Sequence, residues 1–302
     1  MKKTLTPRAV GIAGARLAAT AFLIGVSLVF LMPVVLTITN SPMSQSEIAT
    51  NYGKIFTGVT TPGTYVSTRV NLKLIPDAVS FSQYSAVLFR SPDYLMKYWN
   101  SVILVVPIVV FQTAVALVAS YGFARFDTKF RTAVFFGYII LMLMPYQVTL
   151  VPNFLVSDWL GILDTRRAII LPGIFSPFAV FILTKFMRRI PSSVVEAAKL
   201  DGANEWQIFT RVCVPMSKSI VASVALLIYI DYWNMVEQPL VLLRGDAQSL
   251  HPLSVFLSKI NAGDAGLAFA VATIYMVVPL LLFLYSEEYL VEGVSYSGGL
   301  KG

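Results

Sequence analysis

Long apolar stretches alternate with polar segments along this chain of 302 residues, over approximately 17–38, 101–124, 132–153, 168–187, 219–243 and 268–291. Each is about the ~20 residues that a helix needs to cross the hydrocarbon of a bilayer. In lipid every backbone polar group must be satisfied within the protein, so such stretches are helices. The pattern therefore predicts an all-α membrane protein with six transmembrane helices. Pro107, Pro145, Pro172, Gly173, Pro177, Pro239 and Pro279 fall inside the stretches. Membrane helices tolerate such residues because neighbours satisfy the freed carbonyls. Pro145 is read either as a kink that permits gating or as a mere irregularity.

The first stretch has a rival reading as a secretory signal, since Lys2, Lys3, Arg8 and Arg16 precede it. A signal core runs to ~7–15 residues and ends in small residues. This stretch is longer and ends Thr37-Ile38-Thr39-Asn40, so it reads as an uncleaved span. The expected organisation is an N-terminal segment 1–16, a first helix 17–38, an insert 39–100, a five-helix core 101–291 holding a loop 191–215, and a tail 292–302. The insert is polar, with turn-like pieces at Thr61-Pro62-Gly63 and Ile75-Pro76-Asp77.

Composition agrees: 56% of residues are hydrophobic and 13% charged, the latter about half the usual ~25%. With both termini on one side, fourteen Lys and Arg fall on that side and nine on the other, five of the nine in the long insert. The positive-inside rule then puts both termini and the 186–218 loop in the cytoplasm. The net charge of +7 reads as loop charge of this kind and not as nucleic-acid binding. The single cysteine, Cys213, excludes an internal disulfide and reads as a small buried hydrophobe. The single histidine, His251, leaves no Cys/His metal cluster to propose and reads as packed in an outer loop. No GxxxxGK[ST] segment is present, so the chain has no recognisable ATPase site of its own.

Two regions carry candidate chemistry. The cytoplasmic loop contains Ser193-Val194-Val195-Glu196, a capping-box pattern. Ala197 and Ala198 favour helix and add little bulk, and Asp201-Gly202 ends the helix, Gly taking the left-handed conformation. Asn204 with Gln207 then caps a second short helix, which Pro215 ends. The fifth apolar stretch contains Asp231 and Glu237, acids that are costly inside a span and usually face a cavity or a partner. With Trp233, Asn234 and Gln238 they form a set able to bond and stack on sugars, or to join this chain to another subunit. Tyr146 and Gln147, beside Pro145, are a second candidate pair. Asp127, with Arg125, Lys129 and Arg131, reads as a solvated cytoplasmic turn.

From Glu196 to Pro215 the chain reads EAA, three residues, Gly202, nine residues, then Val212-Cys213-Val214-Pro215. This spacing resembles the EAA loop of permease subunits of ATP-binding-cassette importers. The likeness extends along the chain to the second permease subunit of the maltose-type carbohydrate branch. It is carried by Asn100-Ser101, Ala119–Arg125, Leu143-Met144-Pro145, Leu160-Gly161-Ile162-Leu163-Asp164-Thr165, Trp233-Asn234, Pro239-Leu240 and the Gly298–Gly302 tail. The fifth stretch is more acidic, and the insert longer, than is usual there.

The resemblance implies a type I importer transmembrane domain in the cytoplasmic (inner) membrane, with an EAA coupling helix pair. Glu196, Ala197, Ala198, Asp201, Gly202 and Pro215 would dock on an ATPase. The implied partners are a homologous second permease subunit, an ATPase dimer, an extracytoplasmic solute-binding protein and membrane lipid. No cofactor is bound by this chain; ATP and Mg are used by the ATPase. The cargo would be a sugar or oligosaccharide, with a polyol or glycerol phosphate as the alternative. An ion-coupled secondary transporter, a membrane scaffold and a membrane enzyme are the readings of other classes; the first would require inverted repeats, and the last lacks any nucleophile–base or metal constellation.

Overall fold

The computed structural model describes residues 7–57, 72–126, 128–259 and 265–298. The expected turn at Thr61-Pro62-Gly63, and Asp127, lie outside them. The described residues are helical almost throughout; their only β pairing is an isolated bridge between Met43 and Val79. In chain order the helices are α1 Pro7–Asn40, α2 Gln45–Thr57, α3 Ser82–Ser85, α4 Pro92–Arg125, α5 Lys129–Leu143, α6 Tyr146–Trp159, α7 Arg166–Gly173 and α8 Pro177–Met187. There follow α9 Ser192–Leu200, α10 Glu205–Ile208, α11 Val214–Met216, α12 Lys218–Trp233, α13 Glu237–Leu242, α14 Leu253–Ser258 and α15 Ala265–Gly298. The chain divides into two compact units, 1–91 with 260–274, and 92–259 with 275–302.

In the first unit, α1 is apolar and exposed over most of its length, as a lipid-facing helix must be. At its end the buried Asn40 donates from Nδ2 to Tyr52 Oη at 2.9 Å. Tyr52 also accepts from the Lys73 backbone N–H (3.1 Å) and meets the Phe269 ring edge-on. Glu47 pairs with Lys73 Nζ at 3.1 Å and accepts from the Asp77 N–H at 2.8 Å. The described part of the insert is thus pinned around Met43, Ile48 and Tyr52. It ends at 91, not 100, because the second long helix already begins at Pro92.

The second unit is organised around α4, against which α8, α12 and α7 pack. Its core holds Leu104, Ile108, Leu183, Val224 and Trp233. Gly173, the last residue of α7, allows the closest approach: a Cβ there would stand 3.1 Å from Ile108. Among the described residues four segments are long and apolar enough to cross a membrane, namely 16–40, 92–125, 166–187 and 267–289, and the number reaches six when each of two bent pairs is taken as one span.

Both bent pairs correct the simple sequence picture. The stretch expected at 132–153 breaks between α5 and α6, whose axes diverge by 104°. The cause is Pro145: the residue before a proline avoids the helical region, and Met144 is extended (φ −74°, ψ 128°). The break makes the irregular-helix reading too weak a description of Pro145. The stretch expected at 219–243 is also no single helix. It stops at Trp233, runs irregularly through Asn234–Val236 and resumes as α13. Its other end turns by 77° at Ser217.

At the start of α4 a polar knot closes the second unit. Asn100 donates to the carbonyls of Ser249 (2.8 Å) and His251 (3.3 Å) and accepts from Arg166 Nη2 (2.7 Å). Ser101 Oγ accepts from the Leu253 N–H at 3.0 Å. His251 is buried, its ring nitrogen 2.9 Å from the Leu243 carbonyl. The Leu160–Thr165 motif has a structural origin here. Gly161 (φ +66°) and Asp164 (φ +60°) both take the left-handed conformation that Gly, Asn and Asp tolerate best. The Asp164 carboxylate then accepts from the Arg244 N–H at 2.6 Å.

Candidate functional site

The loop at the far end of α4 is built from local signals. Helix α9 begins at Ser192 after Pro191, without a side-chain cap. The capping box expected between Ser193 and Glu196 is therefore not formed; the helix starts two residues early, with Pro191 in the cap position, and puts Ser193 inside its first turn. The other end is as expected and more complete. Gly202 (φ +80°) donates to the Lys199 carbonyl, and the Ala203 N–H donates to that of Ala198, both at 3.0 Å. This is the paired Schellman arrangement, in which a left-handed Gly closes the helix and the flanking apolar residues meet. Ala198 and Ala203 are those flanking residues, and both pack on the buried cluster beneath. The EAA-to-Gly spacing thus encodes a helix stop.

Asn204 and Gln207 form the expected capping box, each side chain bonding the other's backbone N–H at 2.9 Å. Helix α10 runs on through a π turn, Phe209–Cys213, into α11. Pro215 does not end the second helix, which is a correction. It lies within α11, where a missing N–H is harmless, and the chain turns two residues later at the buried Ser217. Beneath the loop Val195, Ile208, Phe209 and Cys213 are buried with Tyr121, Met187 and Ile190. Glu205 ties the layers together, 2.8 Å from Lys199 Nζ and accepting from Tyr121 Oη at 2.6 Å. These two bonds, Lys199 first, hold its carboxyl below its usual range. Arg125 donates to the Ile190 carbonyl at 3.4 Å.

Of the expected docking residues, Glu196, Ala197, Asp201, Gly202 and Pro215 are exposed and Ala198 is half-buried. Beside them two large apolar side chains stand in the open, Leu200 at 89% and Trp206 at 65% exposure. Sequence reasoning passed over both. Their signal was available: bulky apolar residues on a short polar loop.

The second candidate region is a cavity of about 490 Å³ within the second unit, lined among others by Gln112, Tyr146, Thr149, Asn153, Asp231 and Gln238. Small-molecule sites commonly measure ~300–1,000 Å³. A further recess of about 530 Å³ shares Tyr146, Asp231 and Gln238 and adds Asn234 and Glu237. The break at Pro145 and the break after Trp233 together present these residues. Gln147 stands behind them, donating to Glu237 at 3.1 Å.

Trp233 does not join this set. It is 1% exposed, stacked on Tyr229 and Tyr275 with ring centroids 5.2 and 5.3 Å away, and its Nε1 donates to the Tyr275 carbonyl at 3.3 Å. The helix ends at Trp233, so the residues that follow it in the expected set are carried away from it. Gln112 is the residue that sequence reasoning missed. It is 3% exposed in the middle of α4, it lines the cavity, and its Oε1 is buried without a hydrogen-bond partner. Leaving such an acceptor unpaired costs about 1–3 kcal/mol. A lone amide in Val109-Val110-Phe111-Gln112-Thr113-Ala114-Val115 was its signal.

Residues 78–296 match the family described as binding-protein-dependent transport system inner membrane component. The chain belongs to this family. It is a multi-pass inner-membrane permease component of an ATP-driven importer, a transport subunit. It is 26% identical to the arabinooligosaccharides transport system permease protein AraQ of Bacillus subtilis (strain 168), over 95% of this chain and 96% of AraQ. It is 29% identical to the lactose transport system permease protein LacG of Rhizobium radiobacter, over 69% and 77% of the two chains. Its fold matches a crystal structure of a bacterial ABC transporter involved in the import of the acidic polysaccharide alginate. The TM-score is 0.74, with 24% identity over 95% of this chain and 99% of that one. Membership of this family disfavours the ion-coupled alternative.

Proposed function

We propose that this subunit carries a carbohydrate, a sugar or oligosaccharide, across the inner membrane by alternating access. It would do so paired with a homologous second permease subunit and driven by an ATPase dimer that uses ATP and Mg. A solute-binding protein delivers cargo at the opposite face, and both termini lie in the cytoplasm. The charge distribution of the loops supports that orientation, and the sugar-named relatives support the cargo.

The observation that carries the coupling role is the construction of the 192–216 loop. The stop of α9 and the start of α10 are capped, the loop's underside is packed on α4 and α8, and its outer face leaves Glu196, Ala197, Asp201 and Gly202 free beside Leu200 and Trp206. A push on that face cannot be absorbed by fraying, because the caps and the buried layer pass it to the helices. Truncated or flexible loops would dissipate it. The cavity at the two helix breaks is the proposed path, with Asp231, Asn234, Glu237, Gln238 and Tyr146 on its walls and Gln147 supporting Glu237.

The test is co-purification of the tagged chain from gently solubilised membranes. Recovery of an ATPase, a second permease and a solute-binding protein is the expected outcome. Recovery of this chain alone, or as a homo-oligomer, contradicts the proposal.

A further inference from the structure

The fold does not set which charge of cargo is accepted, since its structural neighbour imports an acidic polysaccharide. The walls of this cavity are specific on that point. Among the described residues lining the cavity and its neighbouring recess there is no Lys, Arg or His, while Asp231 and Glu237 both face in. Asp231 is exposed, with no hydrogen-bond or ion-pair partner among the described residues; Glu237 is bonded by Gln147 alone. Behind them the buried Gln112 holds an unpartnered carbonyl oxygen. Three acceptors thus await donors.

We infer that the cavity takes uncharged, hydroxyl-rich solutes and turns away acidic ones, with Gln112 Oε1 accepting a hydrogen bond from a cargo hydroxyl. This rests on the reading of the cavity as the transport path. A sugar hydroxyl can donate to a carboxylate or to an amide oxygen while its own oxygen accepts from Tyr146, Asn153 or Gln238. A uronate carboxylate brings no donor to Asp231 or Glu237. It sets a like charge beside them, which repels it. This chain's share of the walls offers no cation among the described residues to pair with an acidic cargo.

The experiment uses the assembled importer in nanodiscs. Cys213 is replaced by Ser, and the cavity residue Thr149 by Cys. Labelling by a cationic trimethylammonium methanethiosulfonate is compared with labelling by an anionic sulfonate, each relative to its rate with free cysteine. The cationic reagent is expected to be favoured by about tenfold or more, and Asp231→Asn with Glu237→Gln to abolish the preference. Equal rates, or a preference for the anion, overturn the inference. Arabinotriose at saturating concentration is expected to slow the labelling, and trigalacturonate to leave it unchanged. Protection by trigalacturonate, or by neither, overturns it. Gln112→Leu should weaken protection by arabinotriose by about fivefold, and Gln112→Glu, which keeps the acceptor oxygen, should restore most of it. Full protection in Gln112→Leu removes Gln112 from the site. The ATPase is assayed in the same preparation. Its absence contradicts the importer reading itself, whereas a wrong charge preference contradicts only this inference.

Discussion

The 192–216 loop and the cavity lie in one unit and are built on opposite plans. In the 192–216 loop the groups at the turn between the two helices are partnered: Gly202 and Ala203 cap α9, Asn204 and Gln207 cap α10, and Glu205 is held by Lys199 and Tyr121. Around the cavity Gln112 and Asp231 lack partners among the described residues, and two helices are broken. A partnered, close-packed element transmits displacement. A wall of unspent acceptors receives a ligand. The difference separates a lever from a receptor within the same bundle, and each substitution below strikes one side of it.

The largest effect on transport is expected from Gly202→Asp. A Cβ meets no atom within 4 Å at Gly202, so bulk is not the issue. The substitution strains φ +80° by about 1 kcal/mol and puts a charge on the exposed docking face. Uptake by intact cells should fall at least tenfold (~1.4 kcal/mol or more of coupling) while the amount of chain in the membrane is kept. Wild-type uptake would remove the loop from the coupling pathway. Next is Trp233→Ala, expected to cost about 3–5 kcal/mol of stability because it empties a stacked core position. Asn234→Ala, one residue on and exposed, should cost little stability and change transport instead. Thermal unfolding in detergent, set beside uptake, separates the two, and a reversed pattern would put Trp233 back on the path.

Ile208→Ala, which hollows the layer beneath the loop, should cost about 2–5 kcal/mol, seen as faster proteolysis between 192 and 216. Undiminished protection would mean the buried layer is not what stiffens the loop. The smallest effect is expected from Glu205→Gln, about 0.2–1 kcal/mol, since the pair with Lys199 is about half exposed. Its pH dependence carries the sign. The folded carboxyl titrates below its ordinary 4.5, so its contribution is complete above that pH and is lost as pH falls through the lower folded value. The gap between wild type and Glu205→Gln should therefore close as pH falls below 4.5 and through the lower folded value. A gap that widens there would mean the bonds are made by the protonated acid.

The loop was legible because its signals are local. The EAA-to-Gly spacing, Asn204 with Gln207 and the burial of Cys213 all follow from residues within a turn or two of one another. The exception, the start of α9, turned on which of several adjacent polar residues opens the helix, and Pro191 preceded the expected cap. The cavity was only half legible. Asp231, Asn234, Glu237, Gln238 and Tyr146 stood out as polar residues in apolar stretches. Their arrangement depends on where the helices break, and hydrophobicity alone does not mark a break. Trp233 was misplaced for that reason, since on one continuous helix it would share a face with Glu237, four residues on. Gln112 was passed over because an amide within 34 helical residues becomes notable only once its oxygen is found without a partner.

The central claim is that the exposed face of the 192–216 loop bears on the ATPase. With Cys213→Ser as background, Ala197→Cys is treated with a short thiol-to-amine cross-linker in native membranes, beside Asp246→Cys at the other end of the unit as control. The expected result is one adduct between Ala197→Cys and the ATPase subunit, none from Asp246→Cys, and loss of the adduct in Gly202→Asp. No adduct at 197, or an equal one from 246, would contradict the account.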